Sequence, residues 1–186
     1  MYARSHADRN AYELTIDTLS AAVCEGVFDK ENWEVIGVGA SFDYNEYLGR
    51  QCGRHMRMVV RENIPENEYR KMVSSGDVGV SLMVSPHPSL PPFDFAAAGL
   101  ITLTNSFATK TEQMFKSVSS NFVVAEPYLP DLLDGLSTAI SRSRDLAARA
   151  AGATLNWESQ WDGARCYGPD LMAKVLTWFE HTENLW

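Results

Sequence analysis

Between residues 33 and 151, short β-branched or apolar runs alternate four or five times with helix-forming stretches, and the connections between them are brief. Such alternation is the pattern of an open parallel sheet whose crossover helices cover both faces. The runs at 33–38, 56–60, 77–84, 100–104 and 122–125 read as strands. The run at 77–84 is apolar at nearly every position, as a strand covered on both faces requires. Helices are expected from Arg9 to Gly26, from Pro65 onward, at 93–98 with Gly99 closing the end, at 108–118 and at 130–151. Residues 1–4 read as the tail of a strand and 5–8 as a loop, so the chain is expected to be a piece of something longer. The fold class is therefore α/β, a Rossmann-like open parallel sheet with a C-terminal helical extension. The expected domains are 1–151 and 152–186.

The extension differs in composition. Four of the five tryptophans, Trp157, Trp161, Trp178 and Trp186, fall in the last 30 residues, and 170–181 reads as an amphipathic helix. Two readings stay open: a helix packed back on the same sheet, or a surface that leans on a missing N-terminal domain.

Bulk properties remove several classes of function. With 45% hydrophobic and 22% charged residues, 186 residues can bury a core. A net charge of −8 argues against a protein that coats nucleic acid, although a small basic pocket for one phosphorylated ligand survives it. Cys24, Cys52 and Cys166 are odd in number and lack any Cys-x-x-Cys, which fits a reducing cytoplasm better than a disulfide framework or a zinc site. The four histidines show no ligand spacing. No apolar run approaches the length of a membrane span. The expected location is cytoplasmic, peripheral to a membrane at most through a longer enzyme.

In doubly wound sheets, ligands bind outside the carboxyl ends of the strands, so the informative segments are the loops 4–9, 39–47, 61–65, 85–92 and 105–110. The loop Ser85-Pro86-His87-Pro88-Ser89-Leu90-Pro91-Pro92 holds four prolines in eight residues and leads into a helix, where free backbone N–H groups attract phosphate. Ser89 offers a hydroxyl, His87 a ring donor, and Asp94 a carboxylate suited to a sugar or ribose diol. A blander alternative stands beside this, in which the prolines cap a strand and Asp94 complements a helix dipole. Arg4, and Arg9 with Asn10, lie at the same edge and would suit a pyrophosphate, or are simply surface arginines. Lys110 is a weaker candidate for the same rim. Gly37-Val38-Gly39 lacks the third glycine of a dinucleotide fingerprint, and there is neither a Walker loop nor a Gly-x-Ser-x-Gly elbow.

As a set, these residues resemble the C-terminal domain of GT-B fold glycosyltransferases, and more narrowly bacterial rhamnosyltransferase-type enzymes of retaining family four. The resemblance rests on Tyr2-Ala3-Arg4 with Arg9-Asn10, Glu68-Tyr69, Ser85-Pro86-His87-Pro88-Ser89 through Asp94-Phe95-Ala96-Ala97-Ala98-Gly99, and Thr104-Asn105. It implies that Arg4 and Arg9 face a donor pyrophosphate, that Ser85, Pro86, His87, Pro88, Ser89 and Leu90 line the phosphates and sugar, that Asp94 meets the ribose, and that Ile64 and Pro65 lie beside the base. The donor implied is a dTDP- or UDP-sugar, dTDP-rhamnose among them. The acceptor implied is a glycan or lipid-linked molecule held by a missing N-terminal domain, which would also carry any catalytic base. The family pattern has glutamates at both ends of the sugar and ribose loop, where this chain has Pro86-His87 and Asp94. No Asp-x-Asp metal motif is evident, so neither metal nor cofactor is expected. The implied enzyme is a glycosyltransferase of hexosyltransferase type for polysaccharide or cell-surface glycan synthesis, inactive as this isolated piece. The alternatives are a non-catalytic flavodoxin-like interaction domain and, less favoured by the poor glycine fingerprint, a small nucleotide-binding oxidoreductase.

Overall fold

A computed structural model describes residues 1–28, 33–40, 44–87 and 89–156, with helical positions at 169, 172–174 and 176–177 beyond them. The chain divides into two units, Met1–Leu155 and Asn156–Trp186. In the second unit the described positions beyond Asn156 are helical, with Met172 and Leu176 exposed and the Thr177 hydroxyl donating to the Ala173 carbonyl. The four late tryptophans lie outside the described residues.

The first unit is the expected mixed α/β domain. Its elements are α1 (Tyr12–Glu25), β1 (Val35–Ala40), β2 (Tyr44–Leu48), β3 (Met56–Glu62), α2 (Glu66–Ser74), β4 (Val78–Val80), α3 (Pro91–Ala97), β5 (Ile101–Asn105), α4 (Glu112–Val118), β6 (Phe122–Ala125), α5 (Leu129–Ser143) and α6 (Leu146–Gly152). Two three-stranded sheets, β1-β3-β2 and β4-β5-β6, are joined through residues 1–3. Tyr2 bridges Val38 in parallel, the Ala3 N–H donates to the Val38 carbonyl (2.6 Å), and the Tyr2 N–H donates to the Val80 carbonyl (2.8 Å). The spatial order is thus β2-β3-β1, residues 1–3, then β4-β5-β6. The pairs β1/β3, β4/β5 and β5/β6 are parallel.

Helices cover both faces. Leu19, Ala22 and Val23 of α1 and Leu132, Leu136, Ala139 and Ile140 of α5 meet Met58, Val60, Val80, Ile101 and Leu103 in one core. Val73 of α2 and Phe95 of α3 pack with Val38 and Leu100 in another. Phe93, Phe115 and Phe122 join α3, α4 and β6, with ring centroids 4.9–5.7 Å apart. All of β5 is buried, the signature of a strand between two helical layers.

Several expectations need correction. The segment 39–47 is not a strand-to-helix loop: it contains β2, which pairs antiparallel with β3. Its polar sequence, with Asn45 and Tyr47 exposed, suits an edge strand and hides it from an apolar scan. The first helix does not begin at Arg9. A single 3-10 turn, Asp8–Asn10, ends at Ala11 in left-handed geometry (φ 46°), and α1 follows. The long helix expected over 130–151 is two helices. Asp145 breaks it by accepting the Ala148 N–H at the start of α6. Arg149 of α6 then reaches back to the Gly99, Gly76 and Ser143 carbonyls and to Asp77, which a straight continuation of α5 would not allow.

Two of the three cysteines are paired, contrary to expectation. Cys24, in the last turn of α1, is disulfide-bonded to Cys52, 28 residues away in the turn after β2, with Cα atoms 5.7 Å apart. Disulfides belong to oxidising surroundings, so the cysteine count no longer supports a reducing compartment. Cys166 lies outside the described residues. Among the described residues no helix is long and apolar enough to cross a membrane.

Candidate functional site

The carboxyl ends of the parallel strands carry four loops with an unusual backbone in common. Among the described residues, the non-glycine residues with left-handed φ are Ala11, Asn63, Ser89 and Ala108, at 46°, 44°, 65° and 51°. Each sits in a different strand-to-helix loop: after residues 1–3, after β3, after β4 and after β5. Such conformations disfavour a side chain and persist where surrounding structure enforces them, a pattern that concentrates at binding sites.

The loops are tied to one another by specific bonds. The Arg9 carbonyl accepts the Val84 N–H at 2.7 Å, fastening the arginine loop to the start of the proline loop. Arg9 itself is exposed, and Arg4 is exposed with Nη1 3.4 Å from the Tyr2 hydroxyl. Asn10, between them and α1, is only 2% exposed, and its Nδ2 has no hydrogen-bond acceptor among the described residues. An unsatisfied buried donor is costly, so a ligand oxygen is one natural partner for it.

Within the proline loop, the His87 N–H donates to Ser85 Oγ (3.3 Å) and the Ser89 N–H donates to His87 Nδ1 (3.0 Å). The latter bond assigns the proton of the neutral ring to Nε2. Ser89 is buried, Ser85 half-buried, and Pro86 and His87 are exposed, while Leu90 is 69% exposed. Pro88 lies outside the described residues.

The end of α3 differs from a phosphate-binding helix terminus. Pro91 and Pro92 occupy its first two positions and have no N–H, and the Phe93 and Asp94 N–H groups both donate to the Leu90 carbonyl (2.9 and 3.1 Å). The loop and its side chains, not free helix amides, are therefore what this edge offers to an anion.

Asp94 is exposed, and Oδ2 accepts from the Tyr69 hydroxyl of α2 at 3.4 Å. Partial burial against α2 raises the Asp94 carboxyl above its ordinary range, with the Tyr69 hydrogen bond opposing. Burial raises the Tyr69 phenol, and the Asp94 charge adds to the effect, with Tyr2 contributing. Tyr2, Tyr69 and half-buried Ile64 pack around the same small core. The Tyr2 ring lies against Gly39, where a Cβ would fall 2.9 Å from it; with φ at 97°, that position calls for glycine. Pro65 is exposed and caps α2 rather than occupying its first turn, while Glu66 and Glu68 fill that turn as the macrodipole favours.

Lys110 is placed differently from the others. It is 1% exposed, its Nζ donates to the Met83 carbonyl at 2.6 Å, and burial lowers its pKa to about 8. The structure thus draws Arg9, Asn10 and the proline loop together, links Arg4 with Tyr2 and Asp94 with Tyr69, and turns Lys110 inward. The sequence carries Tyr2 and Tyr69 only as motif residues without a role of their own; the packing shows their hydroxyls meeting Arg4 and Asp94. Among the described residues no cluster of three or more His, Cys, Asp or Glu could hold a metal ion.

Residues 1–137 match the family described as WsaF, C-terminal domain. The chain is also 28% identical over 167 residues to the O-antigen biosynthesis protein RfbC of Myxococcus xanthus, an alignment covering 87% of this chain and 12% of that protein. A family match over most of its length, on a Rossmann-like sheet with its loops gathered at the carboxyl edge, means that the chain belongs to the WsaF C-terminal domain family, a glycosyltransferase-associated family.

Proposed function

We propose that this chain is the donor-binding domain of a GT-B type glycosyltransferase, which holds a nucleoside-diphosphate sugar at the carboxyl edge of its sheet. The observation that carries the reading is the 2.7 Å bond between the Arg9 carbonyl and the Val84 N–H, which holds the arginine loop against the proline loop. Unpartnered Asn10 Nδ2 beside Arg9 is a second reason to look there for an anion. In this reading Arg4, Arg9 and Asn10 face the diphosphate. Ser85, His87 and Ser89 line the phosphates and sugar, and Asp94, steadied by Tyr69, takes the ribose hydroxyls. Ile64 and Pro65 flank the base.

Cleavage of a donor glycosidic bond leaves charge on the β-phosphate, and guanidinium groups already in place stabilise it without a metal. Losing one such group from an oxyanion-type site costs roughly 10²–10³ in rate. Because α3 offers no free amides, that work falls to the arginines and the loop. The donor proposed is a dTDP- or UDP-sugar, dTDP-rhamnose among them. The transfer would be of hexosyltransferase type in polysaccharide synthesis, with the acceptor brought by another domain and no turnover by this chain alone. That the RfbC relative is named for O-antigen biosynthesis supports the glycan context.

Titration of isotope-labelled chain with UDP, dTDP and GDP tests it. Amide shifts are expected at Arg4, Arg9, Asn10 and residues 85–90 excluding prolines. Arg9→Ala should weaken binding by about tenfold or more, the loss of one charge-assisted hydrogen bond. Absence of any shift at these positions with all three nucleotides would end the reading.

A further inference from the structure

Directly after β5 the chain makes a tight hairpin in which Phe107 and Lys110 exchange both backbone hydrogen bonds (3.0 and 2.9 Å), with Ala108 left-handed at its tip. The turn leaves Phe107 36% exposed and buries Lys110 to 1%. Lys110 forms no ion pair among the described residues; its one acceptor there is the carbonyl of Met83. Nζ also lies 5.8 Å from the centroid of the Phe107 ring. Burying an ammonium with one neutral acceptor and one aromatic face is still a costly arrangement, and an apolar residue of similar length would fill the space at lower cost.

The acceptor explains the choice. The Met83 peptide is where β4 hands over to the proline loop, and it is gripped from several sides. Asn105 Oδ1 accepts the Met83 N–H (2.7 Å), Asn105 Nδ2 donates to the Met83 carbonyl (3.2 Å) and to the Ser106 carbonyl (2.9 Å), and Lys110 Nζ donates to the same Met83 carbonyl (2.6 Å). One residue later the Arg9 carbonyl takes the Val84 N–H. We propose that Lys110 is a positioning residue: from a buried place behind the site it fixes the Met83 carbonyl, and so sets the exit of β4 from which Ser85 to Leu90 are presented to the ligand. Its consequence for binding rests on the donor-binding reading above; its consequence for the backbone does not.

Titration of Lys110 separates this role from simple packing. Its folded pKa lies near 8 against 10.5 for an exposed lysine, because burial disfavours the cation. Between these values the unfolded chain binds more protons than the native one, so global stability rises with pH across that window. The clamp does the opposite, since a neutral amine is a weaker donor to Met83 than an ammonium. Other titratable groups on the surrounding elements are Arg9 in the first loop, His87 in the proline loop, Glu112 of α4, Glu126 after β6, and Asp131 and Asp134 of α5.

The experiment uses the whole chain, wild type and Lys110→Met, with amide-exchange protection at Val84 and affinity for UDP or dTDP measured between about pH 7 and pH 10, a range that spans the folded value of about 8. In wild type, protection at Val84 is expected to fall as pH passes about 8 while the melting temperature rises. Lys110→Met should melt no lower than wild type at neutral pH, yet exchange Val84 about tenfold faster, bind nucleotide about tenfold more weakly, and lose the pH dependence of both. Lys110→Arg, which keeps a donor cation, should recover part of the protection. Unchanged protection at Val84 in a folded Lys110→Met variant overturns the proposal. Should that variant fail to fold, a flat Val84 profile in wild type across the same range overturns it equally. If neither protein binds nucleotide but Val84 loses protection in the variant, the clamp stands and the donor-binding reading fails.

Discussion

Breaking the Cys24–Cys52 bond by Cys24→Ser with Cys52→Ser should destabilise the first unit without unmaking its fold. The bond closes a loop of 28 residues, from the last turn of α1 through β1 and β2 to the turn at Arg50–Cys52. In the chain-entropy account a loop of that length restricts the unfolded state by about 12 cal/mol/K, or about 3.5 kcal/mol at 25 °C. The junction has other ties, which is why the fold should survive. Arg54 Nη1 donates to the Val23 carbonyl at 3.1 Å, and Gly49, left-handed at φ 74°, sits so close that a Cβ there would fall 2.5 Å from Val23. A domain of this size loses roughly 2–4 °C per kcal/mol, so the melting temperature should drop by about 7–14 °C. Thermal unfolding of parent and double variant measures this, and dithiothreitol added to the parent should reproduce the shift. Thiol titration in denaturant supplies the chemical check: of the three cysteines, only Cys166 should react before reduction, and all three after it. A double variant that melts within about a degree of the parent would refute the loop-entropy reasoning. Three reactive thiols in the unreduced protein would refute the bond itself.

Arg149→Ala should destabilise by about 2–4 kcal/mol in urea unfolding, because its guanidinium satisfies the carbonyls of Gly99, Gly76 and Ser143 besides pairing with Asp77. Arg149→Lys should recover less than half of that loss, since an ammonium cannot span acceptors spread on three sides. Gly79→Val should cost about 1–3 kcal/mol or prevent folding, as a Cβ at that position falls 2.6–2.9 Å from the Phe95 side chain. Pairing it with Phe95→Leu should restore part of the melting temperature; no restoration would mean that the strain lies elsewhere.

What the sequence determined by itself was whatever depends on local pattern. The strand over Phe122–Ala125 is found where its four residues predict it, because a buried β-branched and aromatic run between two turns has few other uses. The parallel sheet, its two helical layers and the gathering of informative loops at one edge follow from the same periodicities. Tertiary structure decided the features whose partners are distant in sequence. Cys24 and Cys52 meet only because β2 folds back against β3 and brings its turn beneath α1; nothing in their spacing announces it. The helix expected over 130–151 breaks at Asp145, whose side chain caps α6, and the break lets Arg149 reach Asp77 and the Gly76 carbonyl across the domain. At the candidate site the difference is sharpest. The arginines, the prolines and Asp94 can be read from the sequence as chemistry, but the sequence counts Lys110 as one more basic residue on the rim. The Phe107–Lys110 hairpin turns it inward onto the Met83 carbonyl, since direction is fixed by backbone geometry and burial rather than by residue type.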